Sequence, residues 1–343
     1  MAAGALDYSK ELLAGPHATL ADQLQNLAIL HQLKSDEFDD HLLTLEQQAQ
    51  TNALAVAQVS AWMQANGLVT ESLDWLTGLP IPLLSQQPIQ MALAQGYLQT
   101  GQWTALLNIT DQGDWGDLEF LRLALVSRAW SELGATRAAE INWGAAMSDA
   151  ADHLEAMTQL LQLAESWHLP KEQEAVLLQI VQEFPEEHWA SQELQVLDLN
   201  SGNTLGLHQL YQVLNAKFPD EMTYKNNLAA TALLLKIDVP QARQWAAEDY
   251  AKKPDDPYIA STYAFALHLQ GWDRQGLAIM QKLPPSELGQ PTVALYYGVL
   301  LAATGKTNQA ISCLRLAQTD SHLLPEEKDL LSAALADGQR HQP

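Results

Sequence analysis

Apolar and polar residues along the chain group into short amphipathic segments, and glycines separate one segment from the next. This pattern is typical of paired helices, in which an apolar stripe packs on a neighbour and the other face is solvated. The glycines at these boundaries are Gly67, Gly101, Gly134, Gly202, Gly271 and Gly305, at intervals of 34, 33, 68, 69 and 34 residues. The period of about 34 residues predicts two further turns in the long gaps, near His168 and Ile237.

Glycine suits such a turn because a tight turn ends the first helix in a left-handed conformation. Small residues recur seven residues before and five residues after most turns, where they let two antiparallel helices approach closely. The matched pairs include Ser60 with Ser72, Ser127 with Ala139, and Ala264 with Gly276. Prolines are then expected to end the second helix of a pair, at Pro185, Pro219 and Pro254.

The repeat resembles the tetratricopeptide family, whose 34-residue unit has small residues around a turn glycine and a proline at its end. Residues 94–103 and 297–310 carry the likeness most fully. Tyr97 and Trp130 stand four residues before a turn, where the family often has an aromatic residue. The resemblance implies an all-α fold, a right-handed α-α superhelix of antiparallel helical hairpins.

The same pattern predicts the organisation of the chain. We expect about eight repeats over residues 52–322, one or more degenerate helical hairpins over residues 1–51, and a capping helix with a tail over residues 323–343. Bulkier residues replace the small ones between 153 and 218, so the sequence defines the register least there. Because the array begins without a polar cap, we expect the C-terminal part of a longer protein, similar to large bacterial tetratricopeptide proteins. An uncapped apolar end would promote self-association.

The charge balance narrows the class of partner. The chain has 41 acidic and 18 basic residues, a net charge of −23. Such a surface repels phosphate backbones and anionic lipids, so nucleic acid is excluded and a basic peptide or protein face is favoured. No apolar run reaches the ~18 residues of a membrane helix, so we expect no membrane insertion. Without a signal peptide the compartment stays open between cytoplasm and periplasm.

Several short motifs resemble parts of catalytic or metal-binding sites, but each of them is incomplete. Residues 305–307, Gly-Lys-Thr, match the end of a phosphate-binding loop, but Leu300 stands where that loop needs a glycine. Glu165 and His168 have the spacing of one half of a di-iron site, and no second copy occurs. Cys313 lies on a predicted second helix, where packing is favoured over reactivity. We therefore predict no catalytic residue, no metal site and no cofactor.

The tetratricopeptide arrangement would place the first helices on a concave face. Within a first helix, one stripe of positions spaced by three or four residues faces that groove. The candidate groove residues are Arg128, Gln162, Glu165, Trp189, Gln192, Tyr224, Asn227, Tyr258, Ser261 and His268. Asn227 lacks the lysine partners of a clamp for a terminal carboxylate. A peptide held by tyrosine and tryptophan faces, with glutamates that read a basic residue, is the favoured interpretation.

These features predict a non-catalytic scaffold that binds a protein or peptide in its groove. One alternative is a structural or regulatory module of a larger membrane-anchored or secretion-related bacterial protein. Another is a glycan-binding helical repeat, which requires several of the ten tryptophans to be exposed on the groove. Most tryptophans stand at hairpin positions, where core packing is the favoured interpretation.

Overall fold

The computed structural model describes residues 2–112 and 114–340, and the side chains of residues 5–112 and 114–336. Within these ranges there are 22 α-helices, a 3₁₀ turn over Gly116–Leu118, and no strand. Consecutive helices pack as pairs, so the predicted all-α fold of helical hairpins is confirmed. No helix among the described residues is both long enough and apolar enough to cross a bilayer.

Nine hairpins follow the N-terminal helix α1 (Ala2–Leu13). Their first helices are α2 (Leu20–Leu33), α4 (Ala53–Ala65), α7 (Gln87–Thr100), α9 (Glu119–Glu132), α11 (Leu154–Ser166), α13 (His188–Ser201), α15 (Met222–Leu235), α17 (Pro257–His268) and α20 (Pro291–Ala303). Their second helices are α3 (Phe38–Ala49), α5 (Val69–Thr77), α8 (Trp103–Thr110), α10 (Thr136–Ala150), α12 (Pro170–Glu183), α14 (Thr204–Lys217), α16 (Val239–Lys252), α18 (Asp273–Met280) and α21 (Thr307–Ala317). Short helices α6 (Ile81–Leu84) and α19 (Pro285–Leu288) follow α5 and α18, and α22 (Pro325–Arg340) is the last helix.

Each hairpin turn has a left-handed residue whose backbone N–H closes the turn. Six of these nine residues are the predicted glycines, and the other three are Lys34, His168 and Lys236. The turn at Lys236 has a second left-handed residue, Asp238. Each turn closes with the same two backbone hydrogen bonds, as at Gly101, whose N–H donates to Leu98 O while the next N–H donates to Tyr97 O. This is the Schellman pattern that satisfies the last carbonyls of a helix. The turns predicted near residues 168 and 237 are confirmed, and the register between 153 and 218 is unbroken.

The degenerate hairpin predicted at the N-terminal end keeps the same period. Lys34 lies 33 residues before Gly67, has a φ of 50°, and its N–H donates to His31 O. The segment from Lys34 to Asp36, which contains no glycine, is therefore the turn of this hairpin. Backbone hydrogen bonds hold the left-handed conformation here although the residue is not glycine, at a cost of about 1–2 kcal/mol.

The small residues predicted at matched places do meet across the hairpins. The hydroxyls of Ser60 and Ser72 lie 2.8 Å apart, and the Ser127 hydroxyl donates to Ala139 O at 2.8 Å. A β-carbon built on Gly276 would stand 2.9 Å from the Ala264 carbonyl oxygen. These contacts fix how closely the two helices of a hairpin approach each other.

Prolines set the ends of several second helices. Helices α12, α14 and α16 each end two residues before one of the predicted prolines, Pro185, Pro219 and Pro254. Helices α5 and α18 are shorter, at 9 and 8 residues, because prolines at 80 and 284 interrupt the helix and start the short helices α6 and α19. The sequence pattern did not predict these interruptions.

The chain divides into two compact units, residues 1–156 and 157–343, with the border inside α11. The core of the first unit includes Leu27, Val56, Met63 and Ile89, which are almost fully buried. In the second unit, leucine, isoleucine and alanine residues of α12 to α21 form the buried interior. The organisation predicted from the sequence, with borders at 51/52 and 322/323, stays a prediction.

Candidate functional site

The predicted groove residues occupy different environments. Arg128 lies on α9 in the first unit, half-buried, with its guanidinium 2.7 Å from the Glu132 carboxylate. Gln162 and Glu165 are exposed on α11. Burial raises the pKa of Glu193 on α13, and a hydrogen bond and the charge of Glu165 raise it further. Carboxyl groups that crowd in this way attract a cation or share a proton.

Four more of the predicted residues lie in the second unit, and three of them, Trp189, Tyr224 and His268, have partners of their own. The indole N–H of Trp189 donates to Glu187 at 2.9 Å, and the ring is 36% exposed. Tyr224 is half-buried with its ring 6.1 Å from that of Phe218, and Gln192 is exposed on α13.

His268, at the end of α17, has its Nδ1 2.6 Å from the Asp273 carboxylate. This contact ties α17 to α18, so a role of His268 in holding the hairpin together is the simpler interpretation.

The remaining three predicted residues come together around a cavity of about 440 Å³ in the second unit. Asn227, Tyr258 and Ser261 line it, from α15 and α17. Side chains of α13, α14 and α20 complete these walls, so the first helices of four consecutive hairpins contribute. The volume falls within the roughly 300–1,000 Å³ that is usual for ligand pockets.

The segment that precedes and begins α22 closes the cavity on a further side. Asp320, His322, Leu324 and Glu327 belong to its lining. The Tyr296 hydroxyl donates to Glu327 Oε1 at 2.7 Å, and the Leu324 backbone N–H donates to Glu327 Oε2 at 3.0 Å. These two hydrogen bonds hold the Glu327 carboxyl in place, and the residue is only 7% exposed. Burial raises the pKa of this carboxyl more than its two hydrogen bonds lower it.

The C-terminal segment, residues 320–336, also reaches elements far away in the sequence. The Thr204 hydroxyl at the start of α14 donates to Glu326 Oε2 at 2.5 Å, over 122 positions. A β-carbon built on Gly202 would stand 3.4 Å from the ring of Pro325. Helix α22 packs on α20 and α21, as a capping helix does, but also on α15. The last helix therefore does more than cover the final hairpin.

Two neighbouring asparagines of α15, Asn226 and Asn227, line the cavity. Burial raises the pKa of the Tyr211 phenol, which also lines it, to about 12, although the Asn227 side chain lowers that pKa. Asn226 is 5% exposed and lines the same cavity, and its Oδ1 has no hydrogen-bond partner among the described residues. The sequence pattern selected Asn227 and missed Asn226, Tyr211, Tyr296 and Glu327. Nothing in a repeat pattern distinguishes an asparagine with a partner from one without.

The other short motifs from the sequence analysis have structural roles in the hairpins. Gly305 has a φ of 79° and forms the turn between α20 and α21, so the Gly-Lys-Thr sequence lies between two helices instead of after a strand. His168 is the left-handed residue of its own turn, with Nδ1 3.1 Å from the Glu165 carbonyl oxygen. Cys313 is half-buried, and burial raises the pKa of its thiol, which lowers its reactivity at neutral pH.

The tryptophans are mostly packed, as the sequence favoured. Trp115 and Trp143 are buried, and Trp189 and Trp272 are the exposed ones, at 36% and 52%. The remaining six are half-buried. A glycan site needs a row of exposed indole faces, and this distribution does not favour one.

Comparison with known proteins gives matches among solved structures only. No family model matches the chain, and no curated protein matches it. A tetratricopeptide repeat protein from Parabacteroides merdae ATCC 43184 is 11% identical, with a TM-score of 0.37 over 73% of this chain and 97% of that chain. The APC/C hetero-tetramer Cut9-Hcn1 is 14% identical, with a TM-score of 0.33 over 97% and 79%. The P58(IPK) TPR domain is 12% identical, with a TM-score of 0.22 over 99% and 94%.

The predicted likeness to tetratricopeptide proteins is thus found among solved structures. Because the identities are 14% or less and the TM-scores are below 0.5, no argument about fold or function rests on these matches. The assignment to helical-hairpin repeats rests on the nine hairpins and their common turn, described above for this chain.

Proposed function

We propose that this chain is a non-catalytic scaffold that binds a protein or peptide partner along the first helices of its second unit. The observation that carries the proposal is the cavity of about 440 Å³, to which four consecutive first helices contribute. A wall built from several repeats offers an extended segment a series of side chains, instead of one isolated pocket. The partner contacts Tyr258, which is 53% exposed at this wall, and the polar residues beside it.

The charge of the chain supports a basic partner. With a net charge of −23, the chain attracts a positively charged peptide from a distance and repels nucleic acid. Exposed carboxylates on α11 add to this field near the start of the unit. Affinity is expected to fall with added salt, since exposed charges are screened within about 10 Å at 0.1 M salt.

A selection from a library of displayed random peptides tests the proposal. Enriched peptides are synthesised with a fluorescent label, and their Kd is measured by anisotropy for wild type and for Tyr258→Ala. We expect Tyr258→Ala to weaken binding about tenfold or more, because exposed aromatic residues at a binding site carry much of the affinity. Circular dichroism confirms that the variant is folded.

Trp272→Ala is the matched control, since Trp272 is 52% exposed, Tyr258 is 53% exposed, and Trp272 precedes α18, a second helix. We expect it to bind the peptides as wild type does. Equal affinity of wild type and Tyr258→Ala would place the site elsewhere, and a selection without any enriched peptide would count against a peptide-binding scaffold.

A further inference from the structure

Asn226, which lines the cavity of the second unit, carries a buried hydrogen-bond acceptor that the protein does not satisfy. Asn226 is 5% exposed, and its Oδ1 has no partner among the described residues. An unsatisfied buried acceptor costs about 1–3 kcal/mol, so a donor from outside the chain would recover that free energy.

Two carboxylates of the C-terminal segment face the same space. Glu327 receives hydrogen bonds from the Tyr296 hydroxyl and from the Leu324 N–H, which are both neutral donors. Asp320 likewise receives two, from the Thr292 hydroxyl at 3.0 Å and from the His322 backbone N–H at 2.9 Å. No lysine or arginine occurs among the described residues that line the cavity.

The basic side chain in this lining is His322. Its Nδ1 is 3.7 Å from Asp320, and its side chain is 59% exposed. The negative charge inside the cavity is therefore not matched by a buried cation.

Aromatic rings complete the lining. Tyr211, Tyr258 and Tyr296 contribute from three helices, and their ring faces favour a cation over an anion. Carboxylates, an orphan amide oxygen and aromatic faces together suit a group that carries positive charge and several N–H donors. An ammonium has three such donors and a guanidinium five.

We propose that this cavity is a subsite for a protonated amine or guanidinium, presented by a lysine or arginine side chain of the partner. Asn226 Oδ1 accepts one of its hydrogen bonds, and Glu327 and Asp320 supply the charge. The proposal rests on the proposed peptide-binding function and names the side chain that the site selects. The C-terminal segment then has a direct role, because it carries both carboxylates.

The experiment uses the full chain and small probes in an NMR titration. The probes are N-acetyl-lysine methylamide, its neutral Nε-acetyl derivative, and spermidine. The amides of Asn226, Tyr296 and Glu327 report on occupancy. The variants are Glu327→Gln, which keeps an acceptor for Tyr296 but removes the charge, and Asn226→Leu, which removes the orphan acceptor. Glu326→Gln is the matched control, because it removes the adjacent charge of the same helix, keeps an acceptor for the Thr204 hydroxyl, and changes a residue that does not line the cavity.

We expect N-acetyl-lysine methylamide to shift these amides and the Nε-acetyl derivative to leave them unchanged. Glu327→Gln and Asn226→Leu should each weaken the Kd about tenfold, the scale of one lost charge-assisted hydrogen bond, while Glu326→Gln stays within about twofold. Equal binding of the neutral derivative, or an unchanged Kd in Glu327→Gln, would overturn the proposal. So would the absence of binding by either cationic probe.

Spermidine separates two sources of the same chemistry. If spermidine binds and N-acetyl-lysine methylamide does not, the assignment to a partner side chain is overturned in favour of a free polyamine. Failure of this subsite is also distinguishable from failure of the peptide-binding function. Selected peptides that depend on Tyr258 but lack lysine and arginine would overturn the subsite and leave the scaffold standing.

Discussion

At the turn between α13 and α14, one amide side chain bridges two carboxylates. Asn203 Nδ2 donates to Asp198 at 3.0 Å and to Glu174 at 2.9 Å, while its Oδ1 accepts the Gly206 N–H. A β-carbon built on Gly206 would stand 2.6 Å from both Asp198 oxygens, so this position needs glycine for space. Burial, and then the charge of Glu174, raise the pKa of Asp198 from 3.8 to about 7. Asp198 therefore makes the free energy of unfolding depend on pH.

Asp198→Asn is expected to remove that pH dependence. Since the pKa in the folded state is raised to about 7, the folded protein binds the proton more tightly than the unfolded chain. In wild type the protonated Asp198 carboxyl therefore contributes fully to the free energy of unfolding below pH 4. This contribution is lost as the pH rises to about 7, by an amount on the order of 4 kcal/mol. The asparagine is neutral throughout and avoids this loss.

Urea unfolding at pH 5 and pH 8 measures the difference. The free energy of unfolding should fall less between the two pH values in Asp198→Asn than in wild type. Asp220→Asn, at an exposed aspartate of the same unit, is the control and should follow wild type. A fall in Asp198→Asn as large as in wild type would contradict the raised pKa.

At the level of the element, the repeated unit is a hairpin with a common turn and a close contact between its two helices. The turn keeps its two backbone hydrogen bonds whether the left-handed residue is glycine, histidine or lysine. The close contact is less tolerant, because it leaves no room for a β-carbon at Gly276 or Gly298. Packing between helices, more than turn chemistry, therefore restricts which residues a hairpin accepts.

Gly276→Ala should destabilise the protein by about 1–3 kcal/mol, the usual cost of overpacking. Its β-carbon would meet the Ala264 carbonyl oxygen and Leu300 Cδ2, both at 2.9 Å. Gly144→Ala is the matched control in the interior of α10, where no atom lies within 4 Å of the added carbon. We expect it to stabilise by about 0.5–1 kcal/mol, since alanine is the better helix former. Urea denaturation measures both, and similar effects of the two changes would contradict the packing argument.

At the level of the whole molecule, the C-terminal segment connects elements that are distant in sequence within the second unit. The Thr204 hydroxyl donates a hydrogen bond to Glu326, and the Tyr296 hydroxyl donates one to Glu327. Leu323, Leu324, Leu331 and Ala334 are buried. The segment is thus part of the unit's interior as well as a wall of the cavity, and the integrity of the site depends on it.

Deletion of residues 321–343 should lower the free energy of unfolding by roughly 3–6 kcal/mol, because three buried leucines lose their burial. Helix α15, on which α22 packs, should then exchange its amide hydrogens faster. Hydrogen exchange followed by mass spectrometry measures this. Lys328→Ala, at an exposed position of α22, is the control and should leave exchange unchanged. Unaltered protection of α15 in the deletion would contradict the long-range role of the segment.

The sequence by itself determined the hairpins, because their signals are local. A left-handed turn, small residues at fixed distances from it and a following proline act within one repeat, and the period of 34 residues repeats them along the chain. It therefore predicted the turns near residues 168 and 237 without a glycine, and it placed Asn227, Tyr258 and Ser261 on the groove-facing stripes of two first helices. The turn at Lys34 also lacks glycine, because backbone hydrogen bonds rather than the residue type hold it.

Only the tertiary structure decided where the C-terminal segment packs and which groups stay unsatisfied. The contact between Thr204 and Glu326 spans 122 positions and has no counterpart in the other repeats from which a period could be read. Asn226 Oδ1 has no partner among the described residues because of the side chains that several hairpins place around it. Such pairings follow from three-dimensional packing, and a one-dimensional pattern of apolar and polar residues carries no information on them.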